Sequence, residues 1–112
     1  MSYEVIAVEY FRRRLKKLSK KYRGIGEDYK SLLETLEKNP SEGDAIPGFG
    51  NKIYKIRMRS SDMKRGKRGG FRVIYYLSDR AVYLLTIYAK AKKEEISVKE
   101  IKEAMRELDI NL

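Results

Sequence analysis

The sequence predicts an α+β domain in which a helical hairpin packs on one face of a mainly antiparallel, twisted sheet, with a short C-terminal helix. Three observations carry this. Apolar residues in the first part of the chain recur at helical spacing, those beyond residue 52 switch to strand spacing, and one stretch between them, 41–50, has loop composition. The 112 residues are one domain's worth, and 1–112 reads as a single domain with no linker, repeat or low-complexity tract.

Taken in order, residues 3–8 (Tyr-Glu-Val-Ile-Ala-Val) are short, β-branched and aromatic, and read as a strand. Phe11, Leu15, Leu18 and Tyr22 then form one apolar helical stripe among seven Lys and Arg residues. Gly24 and Gly26 are expected to end that helix. Tyr29, Leu32, Leu33 and Leu36 line a second helix, which Asn39-Pro40 stops. A link this short makes an antiparallel hairpin. Beyond the loop, Tyr54, Ile56 and Met58 alternate with Lys55, Arg57 and Arg59, so a strand there turns its cations to the face away from the core. Residues 60–69 read as a flexible basic hairpin loop. Residues 71–77 and 82–88 are nearly continuous apolar strands joined by Ser78-Asp79-Arg80. Ser97 with Glu100 is a capping box, Ile96 and Ile101 are placed for a hydrophobic staple, and Ala104, Met105 and Leu108 continue the last helix. The predicted order is β-α-α-β-β-β-α.

Composition removes several chemistries. With no Cys there is no thiol nucleophile or disulfide framework, and with no His there is no imidazole acid–base pair. No metal site or cofactor is expected. No apolar run reaches the roughly 18–20 residues of a membrane span, and the first residues lack the order of a secretion signal. A cytoplasmic setting without membrane association is the expectation. Lys and Arg number 26 against 16 Asp and Glu, a net charge of +10, so an acidic polymer or protein is the expected partner.

The charge is concentrated. Eight cations fall between Lys55 and Arg72 against the single acid Asp62. Lys55, Arg57, Arg59 and Arg72 are each out of phase with their apolar neighbours and can share one sheet face, with Lys90, Lys92 and Lys93 following the last strand. Lys64, Arg65, Lys67 and Arg68 belong to the loop. Like charges this close repel unless an anion offsets them, so this surface reads as nucleic-acid-binding. The basic tract of the first helix, flanked by Glu9 and Glu27, reads instead as a solvated face that adds to the steering of an acidic partner. Gly66 to Gly70 lacks the order of a nucleotide-triphosphate loop and no helix follows it; Gly69-Gly70 fits a hairpin entering a strand. Glu94-Glu95 reads as structural, placed before a helix N-terminus. Tyr88 either packs or contacts RNA.

The segments Phe11…Leu15-Lys16-Lys17-Leu18, Tyr54-Lys55-Ile56-Arg57, Gly69-Gly70-Phe71-Arg72-Val73-Ile74-Tyr75-Tyr76-Leu77 and Leu84-Leu85-Thr86-Ile87-Tyr88-Ala89-Lys90 together resemble the RelE/ParE toxin superfamily of toxin–antitoxin systems, in particular its RelE- and HigB-like members. The resemblance spans nearly the whole chain and implies a RelE-like fold. It implies a metal-independent, ribosome-dependent endoribonuclease, or mRNA interferase, that inhibits translation. It also implies a cognate antitoxin, contacts to the ribosome with its mRNA and rRNA, and operator DNA reached only through the antitoxin complex. Carried over by position, the active residues are Lys55, Arg57, Arg72 and Lys90. Some members use a C-terminal Tyr; none follows Tyr88 here, so Tyr88 takes that place or the element is missing.

Cleavage by RNA's own 2′-hydroxyl needs a base, a group that stabilises the phosphorane, and an acid for the leaving 5′-oxygen. Crowding among cations disfavours a lysine's charged form, which makes Lys55 the candidate base. Arg57 and Arg72 would grip the phosphate, and Lys90 or Tyr88 would be the acid. Arg59, Lys64, Arg65, Lys67, Arg68, Lys92 and Lys93 would hold RNA. The alternatives are a ParE-like inhibitor of DNA gyrase and a non-catalytic nucleic-acid-binding module.

Overall fold

The computed structural model describes residues 3–63, 69–92 and 95–109. The elements run β1 (Glu4–Ala7), α1 (Glu9–Ser19), α2 (Ile25–Lys38), β2 (Asp44–Ala45), β3 (Ile53–Met58), β4 (Phe71–Leu77), β5 (Ala81–Ala89) and α3 (Val98–Met105), with a 3-10 turn over Arg106–Leu108. One five-stranded sheet has the order β1-β5-β4-β3-β2; β1 lies parallel to β5 and the other pairs are antiparallel.

The predicted α+β architecture is present, with two local differences. The 41–50 loop contains β2, which pairs Asp44 with Lys55 and Ala45 with Tyr54. A two-residue strand has no periodicity to detect. Gly26 lies inside the first turn of α2 rather than ending α1, which stops at Ser19.

The helix ends explain two acids. Val8 precedes α1 and has no side chain to cap it, so the amide of Glu9 donates to Glu107 Oε1 at 2.7 Å, from the far end of the chain. Gly24 precedes α2 and is equally unable to cap. Its amide donates to Asp62 Oδ2 at 2.8 Å, while Asp28 accepts from the amide and hydroxyl of Ser61. Asp62, the lone acid of the basic stretch, therefore ties the segment after β3 to the start of α2.

The strand period sorts the sheet into two faces. Ile56, Met58, Phe71, Val73 and Ile87 point one way and are buried under the helical hairpin, where Tyr22 meets Phe71 edge-on at 5.1 Å and Phe11 lies 5.8 Å from Tyr29. Phe11 is fully buried, so its truncation to Ala costs about 3–5 kcal/mol. Tyr75 stacks on Tyr54, and its hydroxyl donates to the Pro40 carbonyl at 2.7 Å while accepting from the Gly43 amide at 3.1 Å. These bonds anchor the chain between α2 and β2. On the opposite face, α3 packs near β5 through the contact of Thr86 with Glu100.

One irregularity sets the register of the second face. Tyr75 pairs with Leu84 but Ile74 pairs with Thr86, so Leu85 is an extra residue, a β-bulge in β5. Without it Arg72 would face Ile87. With it Arg72 faces Tyr88.

Candidate functional site

Three strands bring Arg57, Arg72 and Tyr88 into one cross-strand row, Arg57 opposite Arg72 and Arg72 opposite Tyr88. Directly paired residues of antiparallel strands share a face, and neighbouring strands lie about 4.8 Å apart. The row therefore sits on the face away from the helical hairpin. Lys55 is two residues from Arg57 on the same face, opposite Ile74 on β4 and Asp44 on β2, and it enters no ion pair among the described residues.

The row is held from below. Arg72 is half-buried and its Nη1 donates to the carbonyls of Gly69 and Phe71 at 3.3 and 3.2 Å. Gly70 has φ of +84°, and a Cβ there would stand 2.8 Å from the Met58 carbonyl and 3.7 Å from the Arg57 guanidinium. Glycine is needed both for the backbone conformation and for the space through which β3 and Arg57 approach.

The electrostatics of the row are asymmetric. Burial lowers the pKa of Arg72, the neighbouring Arg57 lowers it further, and Tyr88 opposes the shift. Arg57 and Arg72 are thus two side chains of like charge that face each other across one strand pair. Burial raises the pKa of Tyr88; Arg72 works against this, and the carboxylates of Glu95 and Glu100 add to it. The phenol therefore holds its proton more tightly than an ordinary tyrosine, and its hydroxyl oxygen is buried.

The remaining predicted residues lie around this row. Lys90 follows β5 directly, half-buried, and its amide continues the ladder by donating to the Gly70 carbonyl at 3.1 Å. Arg59, just past the end of β3, is exposed and lines, with Arg57, Ile56 and Met58, a groove of about 360 Å³ that Asp28 and Ser31 of α2 close from the other side. Lys92 is exposed in the turn after β5. Lys64, Arg65, Lys67, Arg68 and Lys93 lie outside the described residues.

Sequence reasoning missed Glu100 as more than a capping partner. Ser97 does cap α3, accepting from the Glu100 amide at 3.1 Å. The Glu100 carboxylate turns elsewhere: Oε2 accepts from Thr86 Oγ1 at 3.4 Å and pairs with Arg14 Nη2 at 3.3 Å. With its side chain only 13% exposed, Glu100 links α1, β5 and α3 beside Tyr88. No motif announces this, because α1 and α3 meet only in the folded chain. Among the described residues no group of three Asp or Glu side chains is placed to hold a metal ion.

Together, the exposed Arg57, the half-buried Arg72 and Lys55 on the same face can bind a phosphodiester and neutralise charge that develops on its oxygens, while the Tyr88 hydroxyl oxygen at the end of the row is buried.

No family model matches the sequence. Among solved structures, the chain is similar to a mutant of the E. coli toxin RelE in the free state, with 22% sequence identity, a TM-score of 0.63, and coverage of 96% of this chain and 99% of that one. The layered helical hairpin and five-stranded sheet of this chain therefore form a RelE-like fold.

Proposed function

We propose that this protein is a toxin of a toxin–antitoxin system, a metal-independent endoribonuclease that cuts mRNA on the ribosome and so inhibits translation. The observation that carries the reading is the cross-strand row of Arg57, Arg72 and Tyr88 with Lys55 on the same face. The fold likeness to a RelE toxin supports it, as does the net charge of +10. None of the described helices is long and apolar enough to cross a membrane, which is compatible with action on ribosomes in the cytoplasm.

In the mechanism, the 2′-hydroxyl attacks the adjacent phosphorus while its proton passes to the Lys55 amine. Arg57 and Arg72 bind the non-bridging oxygens as charge builds on the phosphorane. The bond from phosphorus to the 5′-oxygen breaks, and that oxygen takes a proton from Tyr88 or Lys90. The products are a 2′,3′-cyclic phosphate and a 5′-hydroxyl. Acid–base steps give only about 10²–10⁴-fold. In-line geometry is the larger need, and mRNA held in a kinked path on the ribosome supplies it. A cognate antitoxin blocks the site in the resting cell, and operator DNA is contacted only through that complex.

Replacing Arg72 by Ala tests the reading. Toxicity and codon-dependent cleavage should disappear while the fold is kept. A variant as toxic as the parent would overturn the assignment.

A further inference from the structure

The chain has four methionines. Met58 and Met105 are buried, 2% and 4% exposed, and Met1 lies outside the described residues. Met63, past the end of β3, is the one described methionine that is only half-buried. Its sulfur accepts a hydrogen bond from the Gly70 amide at 3.1 Å. A thioether is a weak acceptor, and it is also the side-chain group here that mild oxidants attack.

Both ends of that bond are fixed. On one side, the Ser60 hydroxyl oxygen accepts from the amides of Asp62 and Met63, each at 3.2 Å, while Ser61 and Asp62 tie the same segment to the start of α2. On the other, Gly70 has left-handed backbone, its carbonyl accepts from the Lys90 amide, and the Met58 carbonyl crowds it. Its neighbour Gly69 supplies a carbonyl to which Arg72 Nη1 donates. The sulfur therefore meets the chain where two residues of the candidate site, Arg72 and Lys90, are anchored.

We propose that Met63 is a reversible oxidation site through which hydrogen peroxide displaces Gly70 and loosens Arg72. The inference concerns regulation of the cationic row, and its effect on cleavage rests on the proposed function above. In the step, the sulfur gives an electron pair to one peroxide oxygen, the O–O bond breaks and the S–O bond forms. The second oxygen leaves as water; sulfur is oxidised by two electrons and peroxide reduced by two. The product is a polar sulfoxide in place of a flexible apolar group. Its oxygen takes over the Gly70 amide. N–H···O bonds span about 2.9 Å and the S–O bond adds its own length, so sulfur and amide must separate by roughly 1 Å. The segment 60–63 is tied to α2 and cannot retreat, so the shift passes to Gly69 and Gly70 and moves Arg72 out of register with Arg57. A misplacement of that size costs about 10²-fold in rate.

The test treats the full chain with limiting hydrogen peroxide and maps the added oxygen by peptide mass spectrometry. Met63 should be oxidised well ahead of Met58 and Met105. In nitrogen–proton NMR spectra the Gly70 amide and the Arg72 Nε–H should shift with it, and the methionine sulfoxide reductases MsrA and MsrB with dithiothreitol should return both signals as the oxygen leaves in water and the dithiol becomes a disulfide. Cleavage of ribosome-bound mRNA should fall by about 10–10²-fold on oxidation and recover on reduction. Met63→Leu should show the same rate with and without peroxide, whatever that rate is. Met63→Gln, whose side-chain oxygen stands in for the sulfoxide, should start at the lowered rate, with circular dichroism as the folding check for both variants. Oxidation of Met58 or Met105 before Met63, an unmoved Gly70 amide, an unchanged cleavage rate in the Met63-oxidised chain, or equal peroxide sensitivity in Met63→Leu would overturn the proposal. The order of oxidation and the two NMR signals are read without cleavage. A parent that never cuts ribosome-bound mRNA, yet shows both, would sink only the proposed function.

Discussion

Replacing Tyr88 by Phe removes one hydroxyl and little else. The ring is 6% exposed and packs within the core, so Phe fills the same space. The hydroxyl oxygen is buried, so its removal should change stability by no more than about 1 kcal/mol in either direction, a shift of a few degrees in Tm at most for a domain of this size. The chemical effect should be far larger. If the phenol protonates the leaving 5′-oxygen, its removal lowers kcat by about 10²–10⁴-fold. KM should barely move, because the phosphate is gripped by Arg57 and Arg72 rather than by a neutral hydroxyl. The pH profile gives an independent reading. Burial and the carboxylates of Glu95 and Glu100 raise the Tyr88 pKa above its usual 10.0. A general acid must be protonated, so the alkaline limb that Tyr88 sets on the parent's kcat should lie above the ordinary phenol range. That alkaline limb should be absent from the residual activity of the variant. Single-turnover cleavage of ribosome-bound mRNA over a pH series measures both. A loss below tenfold, or a change confined to KM, would refute the role and leave Lys90 as the acid.

Two further outcomes concern the scaffold. Tyr75 has its pKa pushed up to about 12, chiefly by burial. Its folded value exceeds its unfolded one, so the stability it contributes is fully present below pH 10 and is lost as pH rises towards 12; alkaline denaturation should show a loss of up to roughly 2–3 kcal/mol in that window. Tyr75→Phe should abolish this alkaline dependence while costing about 1–3 kcal/mol at neutral pH, since the Gly43 amide and Pro40 carbonyl lose their partner. Glu100→Gln should weaken the tie from Arg14 to α3 by about 1–2 kcal/mol. It should also lower the Tyr88 pKa, because one of the carboxylates that raises it is gone; tyrosinate absorbance during alkaline titration reads that shift, and an unmoved Tyr88 would remove Glu100 from the site.

The cationic face was legible because β3 alternates. In Tyr54-Lys55-Ile56-Arg57-Met58 every second residue is apolar, so the strand can bury only one side, and Arg57 must fall on the other with Lys55. Arg72 follows in the same way, flanked by Phe71 and Val73. β5 could not be read like this. Both its faces are covered, so its run from Ala81 to Ala89 shows no alternation, and nothing marks Leu85 as the bulged residue that turns Tyr88 towards Arg72. The helical hairpin was legible from its stripes, but its boundaries were not. The caps of α1 and α2 come from Glu107 and Asp62, far along the chain.

The central claim is that one scissile phosphate is attacked by its own ribose hydroxyl while Arg57 and Arg72 hold it. The direct test presents ribosomes with an mRNA carrying a single 2′-deoxynucleotide immediately 5′ of the scissile phosphate, beside an all-ribose control. The control should be cut to a 2′,3′-cyclic phosphate and a 5′-hydroxyl, and the substituted message should remain intact at that position. Cleavage of the deoxy-substituted site at the control rate, or products bearing a 5′-phosphate, would contradict the account.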